Sequence, residues 1–209
     1  MASQSPKIAD RPLQSPRVIV CEGSDEYDVL NWIRQRRKLT EEAVELINAE
    51  GRTKLKTVLD DLRFQSGGSA VKLVGVVLDA EEKSAADKAL LDGLSSVAQA
   101  HGFGLSVHVL PDSDSAGALE TLVRRHADVQ TPAVACANAW ELCTAENAEH
   151  RTTAQKDKAW SHVWLAGQGA FYSRLGFALA NNADVRGRVP AFIEHFEKLL
   201  DQVLNTPLK

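Results

Sequence analysis

Acidic side chains recur at matching places along this chain, each directly after an apolar stretch. Glu22 follows Arg17-Val-Ile-Val-Cys21. Asp79 and Glu81 follow the run from Val71 to Leu78, and Asp112 and Asp114 follow the run from Gly104 to Leu110. Glu120 stands a few residues further on. Carboxylates drawn into one cleft repel one another. Two unit charges about 4 Å apart interact by roughly 4 kcal/mol at an effective dielectric near 20. Such a cluster must protonate, pair with Lys or Arg, or bind a cation. Oxygen donors without His or Cys suit Mg2+, Mn2+ or Ca2+ rather than Zn2+. Mg2+ typically uses one or two carboxylates and keeps water for substrate phosphates, which is the arrangement of phosphoryl-transfer chemistry.

The elements that must position these acids are legible in the apolar pattern. Residues 17–21, 44–49, 71–78 and 104–110 are short, β-branched runs, expected as strands. The third is nearly continuous and apolar, as suits a parallel strand covered on both faces. Between them, helical spacing is expected from Ser24 through the basic run to Lys38, over 53–64 (Leu55, Val58, Leu59, Leu62) and from Ser84 to His101. Another helix opens at Gly117-Ala-Leu-Glu120. Strand alternating with helix predicts a parallel α/β sheet. Right-handed crossovers then bring every strand's C-terminal end to one edge, where open parallel sheets bind ligands. Beyond residue 130 the pattern is helical near 137–149, 153–180 and 190–204. Pro190 suits a first helical turn, and Ile193, Phe196, Leu200 and Val203 form a stripe. The expected organisation is a loose tail over 1–16, rich in Ser, Gln and Pro, an α/β core over 17–130, and a helical part over 131–209 packed on that core.

Glu22-Gly-Ser-Asp25 after the first strand and Asp79-Ala-Glu81 after the third resemble the toprim domain. That domain is shared by topoisomerases, bacterial primases, small maturation nucleases and overcoming-lysogenization-defect nucleases. Its pattern is Glu-Gly-x-x-Asp or similar, then Asp-x-Asp, and the glycine after its second strand is matched by Gly51. The chain is most similar to a toprim-like family of small bacterial and archaeal proteins. Pro111-Asp112-Ser-Asp114-Ser-Ala-Gly117-Ala-Leu119-Glu120 matches one segment of that family, and Lys158-Ala159 with Leu165-Ala166 matches another. The likeness spans about residues 17 to 200, with one departure: Glu81 stands where the pattern has Asp, and its longer side chain changes the geometry. The resemblance implies a Rossmann-like four-stranded parallel sheet flanked by helices, with a helical C-terminal extension. It implies Mg2+ or Mn2+ held by Glu22, Asp79 and Glu81, with Asp112, Asp114 and Glu120 completing the site or holding a second ion. Glu22 would be the general acid/base or a metal ligand, Asp25 would orient its loop, and Lys158 would stabilise transition-state charge.

Each of these residues has a plainer reading. Glu22 is then an exposed loop acid, and Asp79, Glu81 and Glu120 are helix-entry acids favoured by the macrodipole. Asp112 and Asp114 are ordinary turn chemistry. Arg34, Arg36, Arg37 and Lys38, with Arg52, Lys54 and Lys56, could grip phosphates, but a solvated face is the better expectation. Trp160 and Trp164 read as core, and His108 and His162 as structural or solvent-facing. The net charge of -4 argues against bulk electrostatic binding of nucleic acid. Cys21, Cys136 and Cys143 are sparse and lack metal spacing, as in reduced intracellular proteins. No apolar run approaches the roughly 20 residues that span a bilayer. The chain is therefore expected to be cytoplasmic, with no membrane partner.

Three function classes fit. The first is a metal-dependent phosphodiesterase, a nuclease acting on nucleic acid. The second is a non-catalytic metal- or phosphate-binding module working with a protein partner. The Glu81 departure, the acidic balance and the small size motivate it, and toprim relatives often work beside an ATPase. The third is phosphotransfer as in response-regulator receivers. It fits less well, because receivers place the acid pair after the first strand, and the Lys expected after the last strand is not evident.

Overall fold

The computed structural model describes residues 12–81, 85–171 and 174–208. The first eleven residues of the expected tail, and Ser84, where the third helix is expected to begin, lie outside them. The remainder of that tail is anchored. Leu13 is buried and donates its N–H to the Ser66 carbonyl, while the Pro16 carbonyl accepts from the amides of Lys72 and Leu73.

The chain is an α/β protein whose strands are β1 (Arg17–Cys21), β2 (Glu45–Asn48), β3 (Leu73–Asp79) and β4 (Gly104–Leu110). They form one sheet in the order β2-β1-β3-β4. β1 pairs in parallel with both β2 and β3, with Cys21 opposite Asn48 on one side and Val77 on the other. β3 and β4 also run in parallel: the Gly104 amide bonds to the Lys72 carbonyl, and the Ala80 amide to the Leu110 carbonyl. β1 and β3 are buried along nearly their whole length, as expected of central strands with both faces covered.

The helices among the described residues are α1 (Ser24–Arg36), α2 (Leu55–Leu62), α3 (Ala85–His101), α4 (Leu119–His126), α5 (Pro132–Cys143), α6 (Thr153–Gly167), α7 (Leu175–Asn181), α8 (Ala183–Gly187) and α9 (Pro190–Asn205), and α1 and α2 pack on the sheet. The apolar spacing explains the first helices. Val29, Leu30 and Ile33 are buried on α1, and Leu55, Val58, Leu59 and Leu62 on α2. Neither Ser24 nor Asp25 caps α1. Gly23 is the N-cap, its amide satisfied by the Glu26 carboxylate at 3.0 Å, and the Ser24 hydroxyl accepts from the Asn48 side chain. α5 starts earlier than residue 137, because the Thr131 hydroxyl caps it and Pro132 occupies its first turn. The expected helix over 153–180 is two helices, α6 and α7. α6 stops at Gly167, with Gly169 at φ +71 beyond it.

The chain divides into two compact units. Among the described residues, the first comprises 12–78, 85–108 and 197–208. Its core joins Val18, Ile19, Val20, Leu30, Leu55, Leu59, Val76, Leu94 and Val203. At Gly75 the last helix lies so close that an added Cβ would sit 3.0 Å from the Val203 side chain. Arg36 and Arg37 of the basic run pair with Glu197 and Asp201. Among the described residues, the second unit comprises 79–81, 109–171 and 174–196. Trp160, Trp164, Phe192 and Phe196 are buried there, and the two tryptophan rings stack 6.2 Å apart. No described helix is long and apolar enough to cross a membrane.

Candidate functional site

In the first unit, Glu22 is the first residue past β1. Its amide donates to the Val77 carbonyl at 2.8 Å, and its carbonyl accepts from the Gly51 amide at 2.8 Å. The ends of β1, β2 and β3 are thus laced together by backbone. Gly51 sits at φ +125, a conformation that L side chains rarely adopt, and the turn it permits delivers Arg52. One guanidinium nitrogen of Arg52 lies 3.4 Å from the Glu22 carboxylate, and the other bonds to Asp87 in the first turn of α3. The Glu22 side chain is only 13% exposed and that of Arg52 20%, so water screens the pair incompletely. Asp25 lies in the first turn of α1.

The other expected site residues belong to the second unit. Asp79, the last residue of β3, accepts the Leu119 amide at 2.9 Å and so satisfies a donor at the start of α4. Glu81 forms an antiparallel bridge with Gly117, through bonds of 2.6 and 2.8 Å. Its φ of +46 is uncommon for a residue other than glycine, and its side chain is exposed. Glu120 is 6% exposed, on the first turn of α4. Lys158 is exposed on α6.

Asp112 closes its own turn. It accepts from the amides of Asp114 and Ser115 and from the Ser115 hydroxyl, and Arg125 reaches it at 2.7 Å. The Arg125 guanidinium holds the Asp112 carboxyl well below the usual carboxylate range, and the bonds from the turn add to the effect. Asp114 contributes its backbone amide to that turn.

Beneath the Asp79 segment lies a network that spacing did not reveal. Gly117 packs on Thr121, where an added Cβ would come 2.4 Å from the hydroxyl. That hydroxyl accepts the Ala118 amide at 3.0 Å and donates to buried Asp157 at 2.6 Å. Asp157 also accepts from Arg124 at 2.9 Å, and Arg124 forms a two-pronged pair with Glu141. The Arg124 guanidinium sits 5.4 Å over the Trp160 ring. Burial alone would lower its proton affinity, but the bonds and charges of Glu141 and Asp157 outweigh that and raise it. A hint was available in Asp157 itself, an acid beside Lys158 whose neighbours Trp160 and Trp164 lie on the inward face of α6.

The donors fit a hard cation in kind, since they are carboxylate oxygens without Cys or His. Positive charge is supplied to Glu22 by Arg52 and to Asp112 by Arg125. Among the described residues, no group of three or more His, Cys, Asp or Glu stands close enough to hold a metal ion. A family model described as a protein of unknown function (DUF3226) matches residues 16–205. No curated protein and no solved structure matches the chain.

Proposed function

The chain belongs to the DUF3226 family of proteins of unknown function, and from that premise we propose that it is a divalent-metal-dependent phosphodiesterase of toprim type acting on nucleic acid. One observation carries the reading. The sheet order β2-β1-β3-β4 reverses direction at β1 and β3, and Glu22 and Asp79 stand at the C-terminal ends of those two strands. In open parallel sheets, that reversal is where ligands bind.

Mg2+ or Mn2+, when bound, would polarise the scissile phosphate and lower the pKa of a bound water. Asp79 and Glu81 are the residues assigned to hold it. Glu22 accepts or returns a proton at its carboxylate. Glu120, with Asp112 or Asp114, completes the acidic rim, and Lys158 supplies countercharge to the phosphate. Backbone bonds fix the chain at Glu22, and the Leu119 amide holds the Asp79 carboxylate.

The test is cleavage of single-stranded DNA, double-stranded DNA and RNA in Mg2+ or Mn2+ by the wild type and by Glu22→Gln and Asp79→Asn. The reading expects wild-type cleavage that both variants lose. Equal cleavage by all three, or none by the wild type, contradicts it. A second reading draws on the partners seen for Glu22 and Asp79 and on Glu81 in place of Asp. In it the chain is a non-catalytic metal- or phosphate-binding module that regulates a protein partner such as an ATPase. Calorimetric Mg2+ binding without turnover would favour that version.

A further inference from the structure

We propose that the pocket between the end of α5 and the start of α6 binds a nucleoside monophosphate, its phosphate on Arg151 and Lys156 and its base on Trp140. The pocket shares no residue with the acids at the strand ends, so the inference goes beyond the proposed function and does not rest on it.

The pocket lies wholly within the second unit and has a volume of about 230 Å3. Pockets for drug-sized ligands measure about 300–1,000 Å3, so this one suits a single nucleotide rather than a dinucleotide. Its free charge is positive. Arg151 and Lys156 line it, and among the described residues neither side chain has a hydrogen-bond or ion-pair partner. Glu141, the carboxylate in its wall, is already met by both prongs of Arg124, at 2.6 and 3.0 Å. Two such cations match a phosphate monoester, which carries about −1.5 to −2 charges near pH 7. Both also stand against a local rule. Arg151 immediately precedes Thr152, the N-cap of α6, and Lys156 follows three residues into that helix, where the macrodipole favours acids and disfavours cations. No acid stands in the first turn to offset them. Thr144 suits the other part of the ligand. Its hydroxyl donates to the Trp140 and Glu141 carbonyls at 3.0 and 3.3 Å, which leaves lone pairs to accept from a ribose hydroxyl or a base amine. Half-buried Trp140 adds an aromatic wall on which a base can stack.

The test is titration calorimetry on the full chain in EDTA, with AMP, GMP, CMP and UMP, and with adenosine and inorganic phosphate as partial probes. EDTA removes divalent metal, so failure here leaves the phosphodiesterase reading untouched, and failure of that reading leaves this one standing. The expected result is binding of one or more nucleotides, about ten-fold or more tighter than adenosine or inorganic phosphate. Arg151→Gln and Lys156→Gln each weaken it about ten-fold, the loss of one charge-assisted bond. Trp140→Leu weakens nucleotide binding about five-fold or more and leaves inorganic phosphate unchanged. Circular dichroism melts check that the variants fold, and the two glutamine variants decide the question if the leucine variant does not. A 5′-phosphorylated oligonucleotide that binds more tightly than its 5′-hydroxyl form identifies a nucleic-acid end as the source of the phosphate, and equal binding of the two identifies the free nucleotide. Three results overturn the assignment: no binding of any nucleotide or of the 5′-phosphorylated oligonucleotide, adenosine binding as tightly as AMP, or binding that survives both glutamine substitutions in folded protein.

Discussion

Replacing Asp157 by Ala tests the second unit's hydrogen-bond network most sharply. The Asp157 side chain is 6% exposed and takes bonds of 2.6 Å from Thr121 and 2.9 Å from Arg124. Without it, the buried Thr121 hydroxyl loses its acceptor, which costs about 1–3 kcal/mol. Arg124 keeps its two-pronged pair with Glu141 and is about a third exposed. Its share is therefore discounted to under about 1 kcal/mol. The total expected loss is about 1–4 kcal/mol, read as a lower urea midpoint at pH 7 with an unchanged slope. Thr121→Val removes the other partner, so the double variant should lose roughly 1 kcal/mol less than the two single losses added together. A loss below about 1 kcal/mol for Asp157→Ala, or strict additivity, would refute the claim that this network supports the Gly117–Leu119 segment on which Asp79 and Glu81 lean.

Two further outcomes follow from side-chain environments. Cys136 and Cys143 are exposed, whereas Cys21 is buried and burial pushes its thiol well above the usual range. An aromatic disulfide reagent should therefore titrate two cysteines rapidly in the native protein and the third only in denaturant. Rapid reaction of all three would contradict the buried placement of β1. Asp112 is held below its ordinary value by Arg125, so the stability this pair contributes is present above the unfolded carboxyl value of about 3.9 and is lost as pH falls below it. Both side chains are more than two-fifths exposed, so the contribution is under about 1 kcal/mol. Asp112→Asn should lower stability slightly at pH 7 and converge with the wild type in acid. A difference that grows as pH falls would overturn the assignment.

Much of the fold was legible because its signals are local. β1 and β4 fall on the short runs that predict them, and the four buried residues of α2 are those of its 3.6-residue pattern. α9 begins at Pro190, as a proline suited to a first turn predicts. The boundaries that moved did so for equally local reasons. Thr131-Pro132 is a cap signature that outweighed the apolar spacing further along α5, and Asn182 caps the short helix α8 that periodicity passed over. The positions of Glu22 and Asp79 at strand ends were readable for the same reason. Their partners were not. Arg52 is 30 residues from Glu22, and Asp157 is 36 from Thr121. Nothing in the spacing distinguishes a long-range partner from a solvated charge, so in the sequence Arg52 reads as part of a basic surface run and nothing marks Asp157. Such pairings are set by how sheet and helices pack, which composition does not encode.

The central claim is that a divalent cation belongs at the carboxyl ends of β1 and β3. Diffraction from a crystal soaked in Mn2+, collected at the manganese edge, tests it most directly. The account predicts an anomalous peak at that edge of the sheet, lost in Asp79→Asn crystals soaked identically. Clean maps with no peak there, or a peak that persists in the variant, would contradict it.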